Sequence, residues 1–354
     1  MPNTKPDTRQ KQLSTWVSQT LTDDSQDIQL VPVGGDAGFR RYFRFQSPSH
    51  WLAVDAPPQT EDTHQFVALA NFLANQGVRT PHILAADEQL GFLLVEDFGD
   101  ELLHKHLHPH RVDQYYNTAF DCLQSLQACP DNTDLIPRYD QTMLRRELQI
   151  FSDWFVGALL GYTLNAPEQA LLHNTFERLE QSALEQPQSL VHRDFHSRNL
   201  ILRTDGSLGV IDFQGALWGA CTYDLVSLLR DCYIRWPAER VTHWALTYRH
   251  RSIDAGLLHQ DVNEITFLRW FDWMGLQRHI KVLGIFARLS LRDHKHHYLK
   301  DLPLVIRYTL EVANSYPQLK PFGDWFSTKL LPLIQAQHWY SDHIHAGDAP
   351  CVQP

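Results

Sequence analysis

The stretch LVHRDFHSRNLILRTDGSLGVIDFQGA, residues 190–216, sets two histidines, three aspartates, an asparagine and three arginines among short apolar runs. Asp205-Gly206 is a strong signal for a two-residue hairpin turn. With that pair at the centre, Thr204 faces Ser207, Ile201 faces Val210 and Asn199 faces Asp212. Directly opposed residues in an antiparallel pair carry their Cβ atoms about 4.5–5.5 Å apart on one face. An amide oxygen and a carboxylate would then converge at the open end of the hairpin. Both are hard oxygen donors of the kind Mg2+ accepts beside waters and substrate phosphates. Asp194, five residues before Asn199, lies in the loop that enters the first strand. It leaves one carboxylate free to take a proton from a hydroxyl nucleophile.

Upstream of the hairpin the pattern is that of a small sheet. IQLVPV and FRRYFRF read as strands flanking GGDAG, WLAVDAPP reads as a third strand stopped by two prolines, and HILAAD and GFLLVED as a hairpin. Between them TEDTHQFVALANFLANQG reads as a helix capped at Thr60, with Phe66, Leu69, Ala70 and Leu73 on one stripe, ending at Gly77. Beyond Gly99 the helical period dominates, and it predicts helices over 111–129, 141–161, 167–185, 222–234, 238–254, 261–292 and 303–315. Asp224 reads as the N-cap of the fourth of these. Many helices beside one small sheet predict an α+β protein of two lobes, residues 1–98 and 99–354, with the quoted stretch a two-stranded insertion in the helical one. A chain of 354 residues exceeds what one core usually holds. The residues from 341 to 354 read as a loose tail.

The spacing H-x-D-x-x-x-x-N at His192, Asp194 and Asn199, followed by Asp212 in IDF, resembles the aminoglycoside phosphotransferase and choline kinase superfamily, itself similar to protein kinases. The resemblance implies a bilobal protein-kinase-like fold, a small antiparallel-sheet N-lobe with a large mainly helical C-lobe, and it covers most of the chain. It implies Asp194 as the catalytic base, Asn199 and Asp212 as Mg2+ ligands, and His196 as a contact of the transferred phosphoryl group. GGDAG, with Gly34, Gly35 and Gly38, lies where a phosphate-covering loop belongs. LLVEDFGD resembles the linker between lobes, whose backbone would bind adenine of ATP through the Glu96 carbonyl and the Phe98 N–H.

The chain departs from that pattern on its third strand. A kinase places a lysine there for the α and β phosphates, whereas LAVDA supplies Asp55, and no lysine stands between Lys11 and Lys105. The cation must then be an arginine, from Arg40, Arg41, Arg44 and Arg79. Arg44 and then Arg41 are favoured as the phosphate clamp, since arginine grips phosphate oxygens in a bidentate manner.

Within the superfamily FRRYFRF, AVDAPP, VHRDFHSRNLIL, TYDLVSLLRDCYIRWP and MGLQRHIKVLGIFARLSLRDHK are most similar to the anomeric kinases for N-acetylmuramate and N-acetylglucosamine of peptidoglycan recycling. That resemblance implies a small-molecule amino sugar as acceptor, with Arg278 or Arg235 for a lactyl carboxylate. Trp218, among other tryptophans, would stack on a sugar face. After DFQ the group usually carries an aspartate and a Gly-Pro step, and here GALWGA stands instead. An aminoglycoside, a choline-like alcohol or another alcohol is the alternative acceptor, and a non-catalytic binding module a third reading.

A net charge of −10 argues against a general nucleic-acid or anionic-membrane binder. Five cysteines without a CxxC pair suit a reduced, cytoplasmic setting. The polar first residues hold no signal-peptide core, and no apolar run reaches the length of a membrane span. Nothing points to an obligate protein partner. HKHLHPH and RDHKHH lack the spacing of a helical zinc site and read as solvated histidines.

Overall fold

The computed structural model describes residues 8–21, 28–34, 39–47 and 49–349, so Gly35 and Gly38 of the glycine loop lie outside the described residues. The chain groups into two compact units, one formed by Met1–Lys105 with Arg198–Gln214 and the other by His106–Ser197 with Gly215–Pro354. The quoted hairpin therefore belongs with the sheet, whereas the loop that enters it belongs with the helices.

The first unit begins with helix α1 (Thr8–Leu21), which the polar composition of its segment conceals. Only Leu13 and Val17 are apolar and fully buried, one turn apart. Five strands follow, β1 (Leu30–Val33), β2 (Arg41–Phe45), β3 (Trp51–Asp55), β4 (Ile83–Asp87) and β5 (Phe92–Glu96), with helix α2 (Thr63–Asn75) between β3 and β4. They form one antiparallel sheet in the order β1-β2-β3-β5-β4. Strand β5 reads as an unbroken apolar run because both its faces are covered, and residues 92 to 95 are all buried. Leu13 and Val17 pack on Leu30, Phe43, Ala53, Phe92 and Leu94. Helix α2 is capped by Asp62, whose carboxylate accepts from Gln65 N–H, and not by Thr60, which lies in the preceding turn. Gly77, at φ +81°, ends it.

The second unit is mainly helical, with α3 (Val112–Gln127), α4 (Gln141–Ile150) and α5 (Ala166–Leu184), then α6 (Tyr223–Leu229), α7 (Ala238–Asp254), α8 (Glu264–Asp293) and α9 (Leu302–Ser315). Three features of this unit depart from the sequence reading. Residues Phe151–Leu159 continue α4 as a π-helix, and strand β6 (Gln188–Val191) pairs with the strand Leu217–Ala220 in a second small sheet. The short helices Lys320–Trp325 and Leu331–Gln335 close the unit. Residues 341–349 are not a loose tail, because Arg235 and Arg307 both bind Asp348, and the Arg235 backbone bonds to Gly347 and Ala349.

Helix α8 is the axis of this core, and Leu276, Ile280 and Leu283 pack on Phe151, Phe155 and Phe326. Gly284 lets it cross the start of the π-helical segment, since a Cβ there would lie 2.5 Å from Ile150 C and Phe151 N. Backbone cannot yield as a flexible side chain does, so Gly284→Ala should cost about 3 kcal/mol of stability. Urea unfolding measures this, and a variant as stable as wild type refutes the crossing constraint.

Candidate active site

The hairpin consists of β7 (Leu200–Leu202) and β8 (Leu208–Val210). Its register differs by one residue from the expected one, with Leu200 opposite Val210 and Leu202 opposite Leu208. The loop holds three residues rather than two. Arg203 N–H bonds Ser207 O at 2.9 Å, and Gly206 takes φ +81°. This is the arrangement in which a left-handed glycine follows a type I turn. Asp205 stiffens it by accepting from both the N–H and the hydroxyl of Ser207.

Asn199 accordingly faces Ile211, whose N–H donates to Asn199 O at 3.1 Å. Asp212 still comes beside Asn199, because its φ of +64° turns the chain immediately after the strand. Asn199 Nδ2 lies 3.5 Å from Asp212 Oδ2, and Asp212 Oδ1 accepts from Gln214 Nε2 at 2.6 Å. Two oxygen-bearing side chains thus sit at one spot, with Asp212 exposed. A half-turn of the Asn199 amide brings its oxygen to the side its nitrogen now occupies. Among the described residues no three His, Cys, Asp or Glu side chains form a metal cage, the two histidine clusters included. Two protein oxygens suit Mg2+, which keeps waters and phosphates as its other ligands.

Around the sheet the candidate cations differ sharply in their partners. Asp55, at the position a lysine would hold, is completely buried and is gripped by Arg9 and by Arg41, its cross-strand neighbour. Arg44 is filled by Asp97, at 2.6 and 3.0 Å, and by Asp100. Arg79 donates to Glu96 and is half exposed. Arg40 is buried against the Phe66 ring at 4.3 Å and donates to Glu61 Oε2 at 2.9 Å, while its Nε is sealed without a partner. It also bonds Tyr42, whose hydroxyl burial holds above its usual range and which feels the Asp212 charge. Phe66 stacks on Phe213, the residue after Asp212, at 5.0 Å. Glu96 accepts from Arg79, Arg203 and His82 N–H. The Phe98 ring lies where a Cβ on Gly209 would be, 2.3 Å from one ring carbon. The Phe98 N–H makes no hydrogen bond among the described residues. Gly34 ends β1 in open space.

In the second unit the loop of residues 192–197 is pinned from three sides. Asp224 accepts from His192 N–H at 2.6 Å and Arg193 N–H at 3.0 Å. It is therefore a loop anchor in the first turn of α6, and Thr222 holds the cap position. Arg193, at φ +75°, sends its guanidinium to Glu147 and to Gly215 O. Asp231 accepts from Ser197 N–H and hydroxyl. Between these anchors Asp194 presents an exposed carboxylate. Desolvation pushes its pKa up, and the charges of Lys281, His196 and Arg193 outweigh that, leaving it below the usual carboxylate range. Burial holds His196 below its usual value, with its ring edge-on to Tyr233.

Lys281, which sequence reading passed over as one polar residue of a long helix, is buried between Glu147 and the Tyr223 hydroxyl, each at 3.0 Å. Its signal was its spacing from Arg278, three residues before it on α8. Arg235 is taken by Glu311 and Asp348. Trp218 is half-buried beside Arg138.

The phosphotransferase enzyme family matches this chain over residues 29–260. The chain belongs to that family. An N-acetylmuramate/N-acetylglucosamine kinase from Pseudomonas aeruginosa is 41% identical over 328 residues, 90% of this chain and 96% of that protein. One of the same description from Neisseria meningitidis serogroup B is 37% identical over 88% of this chain and 93% of its own length. The ethanolamine kinase of Plasmodium vivax shares the fold with a TM-score of 0.64 at 11% identity, covering 90% and 93% of the two chains. The choline kinase of Streptococcus pneumoniae does so at 0.57 and 12%, covering 88% and 100%. This phosphotransferase thus combines a five-stranded antiparallel lobe with a helical one, the α+β arrangement of its fold neighbours. No helix among its described residues is long and apolar enough to cross a membrane.

Burial pushes the Asp224 carboxyl up to about 6, against the pull of His192 and the two backbone N–H groups. Its folded value exceeds its unfolded one, so its contribution to stability is full below about pH 4 and is lost as pH rises through about 6. Asp224→Asn removes that titration and should gain on wild type by about 3 kcal/mol between about pH 4 and 7. Urea unfolding across that window checks it; a difference that stays flat with pH sinks the assignment.

Proposed function

We propose that this phosphotransferase is an ATP- and Mg2+-dependent sugar kinase that phosphorylates the anomeric hydroxyl of N-acetylmuramate and N-acetylglucosamine, in the cytoplasm, during peptidoglycan recycling. The observation that carries the acceptor is similarity along nearly the whole chain, 41% identity over 90% of it, to a kinase described by those two sugars. The chemistry is supported by an exposed Asp194 among cations and by the Asn199–Asp212 pair. Free thiols at Cys122, Cys129, Cys221 and Cys232 suit a reducing compartment.

Asp194 takes the proton of the anomeric hydroxyl as that oxygen bonds the γ-phosphorus and the bridging P–O bond to ADP breaks. An anomeric hydroxyl is more acidic than an ordinary alcohol, so one low-pKa carboxylate is a sufficient base and positioning supplies most of the rate. Asn199 and Asp212 would hold Mg2+, which supplies neutralisation of phosphate charge when bound. His196, kept neutral by burial, would contact the transferred phosphoryl group. The Phe98 N–H and the Glu96 carbonyl take the adenine edge.

For the missing lysine we assign Arg40 in preference to Arg41 and Arg44, whose guanidinium forks are filled by carboxylates. Glu61 orients Arg40 as a carboxylate orients the kinase lysine. Arg41 and Arg44 instead fasten β2 to Asp55, Asp97 and Asp100.

Phosphorus NMR of products from Mg·ATP and a panel of reducing sugars tests the reading. Coupling of the new phosphorus to an anomeric proton is expected, and transfer only to a primary hydroxyl or an amino alcohol defeats it. Asp194→Asn should lower kcat by about 10^2–10^4 while ATP binding persists. Arg40→Ala should lower kcat/KM for ATP by about 10–100-fold, with Arg40→Lys recovering part of the loss. Normal turnover in either the Asn or the Ala variant overturns its assignment.

A further inference from the structure

Four Lys or Arg side chains are buried among the described residues: Arg40, Arg249, Arg278 and Lys281. A buried charge is stable only when it is paired and hydrogen-bonded. Arg40 has Glu61, Lys281 has Glu147, and Arg249 has the carbonyl of Val262 through two nitrogens. Arg278 is 3% exposed, carries five N–H donors, and has one hydrogen-bond partner among the described residues, the weakly accepting sulfur of Cys232 at 3.4 Å. Its other nitrogens, unlike Arg230 Nη1 and Arg235 Nε, are not completely sealed and keep a trace of solvent contact. Cys232 follows Asp231, which accepts from the N–H and hydroxyl of Ser197, and precedes Tyr233, whose ring meets that of His196 at 5.6 Å, so Arg278 lies near the loop of residues 192–197 inside the same unit. A guanidinium with donors left open near that loop has the chemistry of a carboxylate receptor.

We propose that Arg278 is the receptor for a carboxylate borne by the acceptor sugar, and that it makes this enzyme prefer the acidic amino sugar, N-acetylmuramate, to the neutral N-acetylglucosamine. The proposal rests on the sugar-kinase reading and resolves what that reading leaves open. Arg235, the other arginine the sequence offered, is filled by Glu311 and Asp348, so the two separate by their partners and not by their burial. The bidentate contact joins the lactyl ether arm of the sugar to α8. It holds the ring from a point away from the reacting hydroxyl, so its effect falls on KM more than on kcat. Lys281, one turn along the helix, cannot serve in its place, because Glu147 and Tyr223 already occupy it.

The test is steady-state kinetics of the full-length enzyme with N-acetylmuramate, its methyl ester and N-acetylglucosamine. For wild type, esterification should raise KM by about 10–100-fold, to near that of N-acetylglucosamine. Arg278→Gln should cut the ratio of kcat/KM for N-acetylmuramate to that for N-acetylglucosamine by a similar factor, and Arg278→Lys should restore part of it. If the ester is used as well as the acid, or if Arg278→Gln lowers both sugars equally, the receptor assignment falls and the kinase reading stands. Wild type inert towards both sugars overturns the kinase reading and this inference with it. The ester comparison needs no substitution, so it decides the matter even if Arg278→Gln does not fold.

Discussion

One buried carboxylate, Glu147, holds the polar interior of the helical unit together. It accepts from the Tyr139 hydroxyl, from Arg193 and from Lys281, and thereby ties α4 to the loop of residues 192–197 and to the middle of α8. Desolvation alone would push its carboxyl up, but Lys281 and Arg193 outweigh that and keep it ionised. Removing one member would leave the others charged and without a partner in a dry interior, which costs more than the pair itself contributes. The left-handed backbone of Arg193 depends on this arrangement. A non-glycine residue there costs about 1–3 kcal/mol and persists only where its surroundings over-determine it. Arg193 is fixed at both ends, with its N–H on Asp224 and its guanidinium on Glu147. The turn so enforced is what leaves Asp194 exposed while its neighbours Phe195 and Ser197 point inward.

The architecture was legible where periodicity carries it. The five strands, α2 and seven helices of the second unit follow from alternation, stripes and breakers. What escaped depends on less local physics. Helix α1 is too polar to betray itself, since Leu13, Trp16 and Val17 are enough to dock it on the sheet. Strand β6 finds its partner some thirty residues on, across the loop of residues 192–197 and the hairpin. The π-helical turn at Phe151–Leu159 follows from the closeness of α8 at Gly284, which no local pattern encodes.

The site was legible in its residue types and not in its geometry. Asp205-Gly206 correctly marks the hairpin, yet it fits both a two-residue and a three-residue loop, and the two differ by one residue of register. That slip should have parted Asn199 from Asp212. The left-handed turn at Asp212 restores the pair, so the expected neighbours meet by a route the register did not predict. In the sheet, strand alternation sorts Arg40, Arg41 and Arg44 by face, but it is silent about which carboxylates stand opposite. Those lie on β3, just before α2 and after β5, up to 56 residues away.

What separates the proposed ligand-binding cations from the rest is the occupancy of their donors by carboxylates, and exposure does not do it. Arg41 and Arg44 are more exposed than Arg40, which would ordinarily favour them as ligand binders, yet their forks are closed by carboxylates. Arg278 is more buried than Arg235 and keeps its fork open. A buried guanidinium whose one partner is a weakly accepting sulfur is costly, and a ligand carboxylate would offset that cost when bound. Asp55 shows the converse. Placing an acid where a lysine belongs demanded two arginines, Arg9 and Arg41, to neutralise it. Asp55 thus occupies Arg41, as Asp97 and Asp100 occupy Arg44, whereas Arg40 bonds Tyr42, whose hydroxyl feels the Asp212 charge.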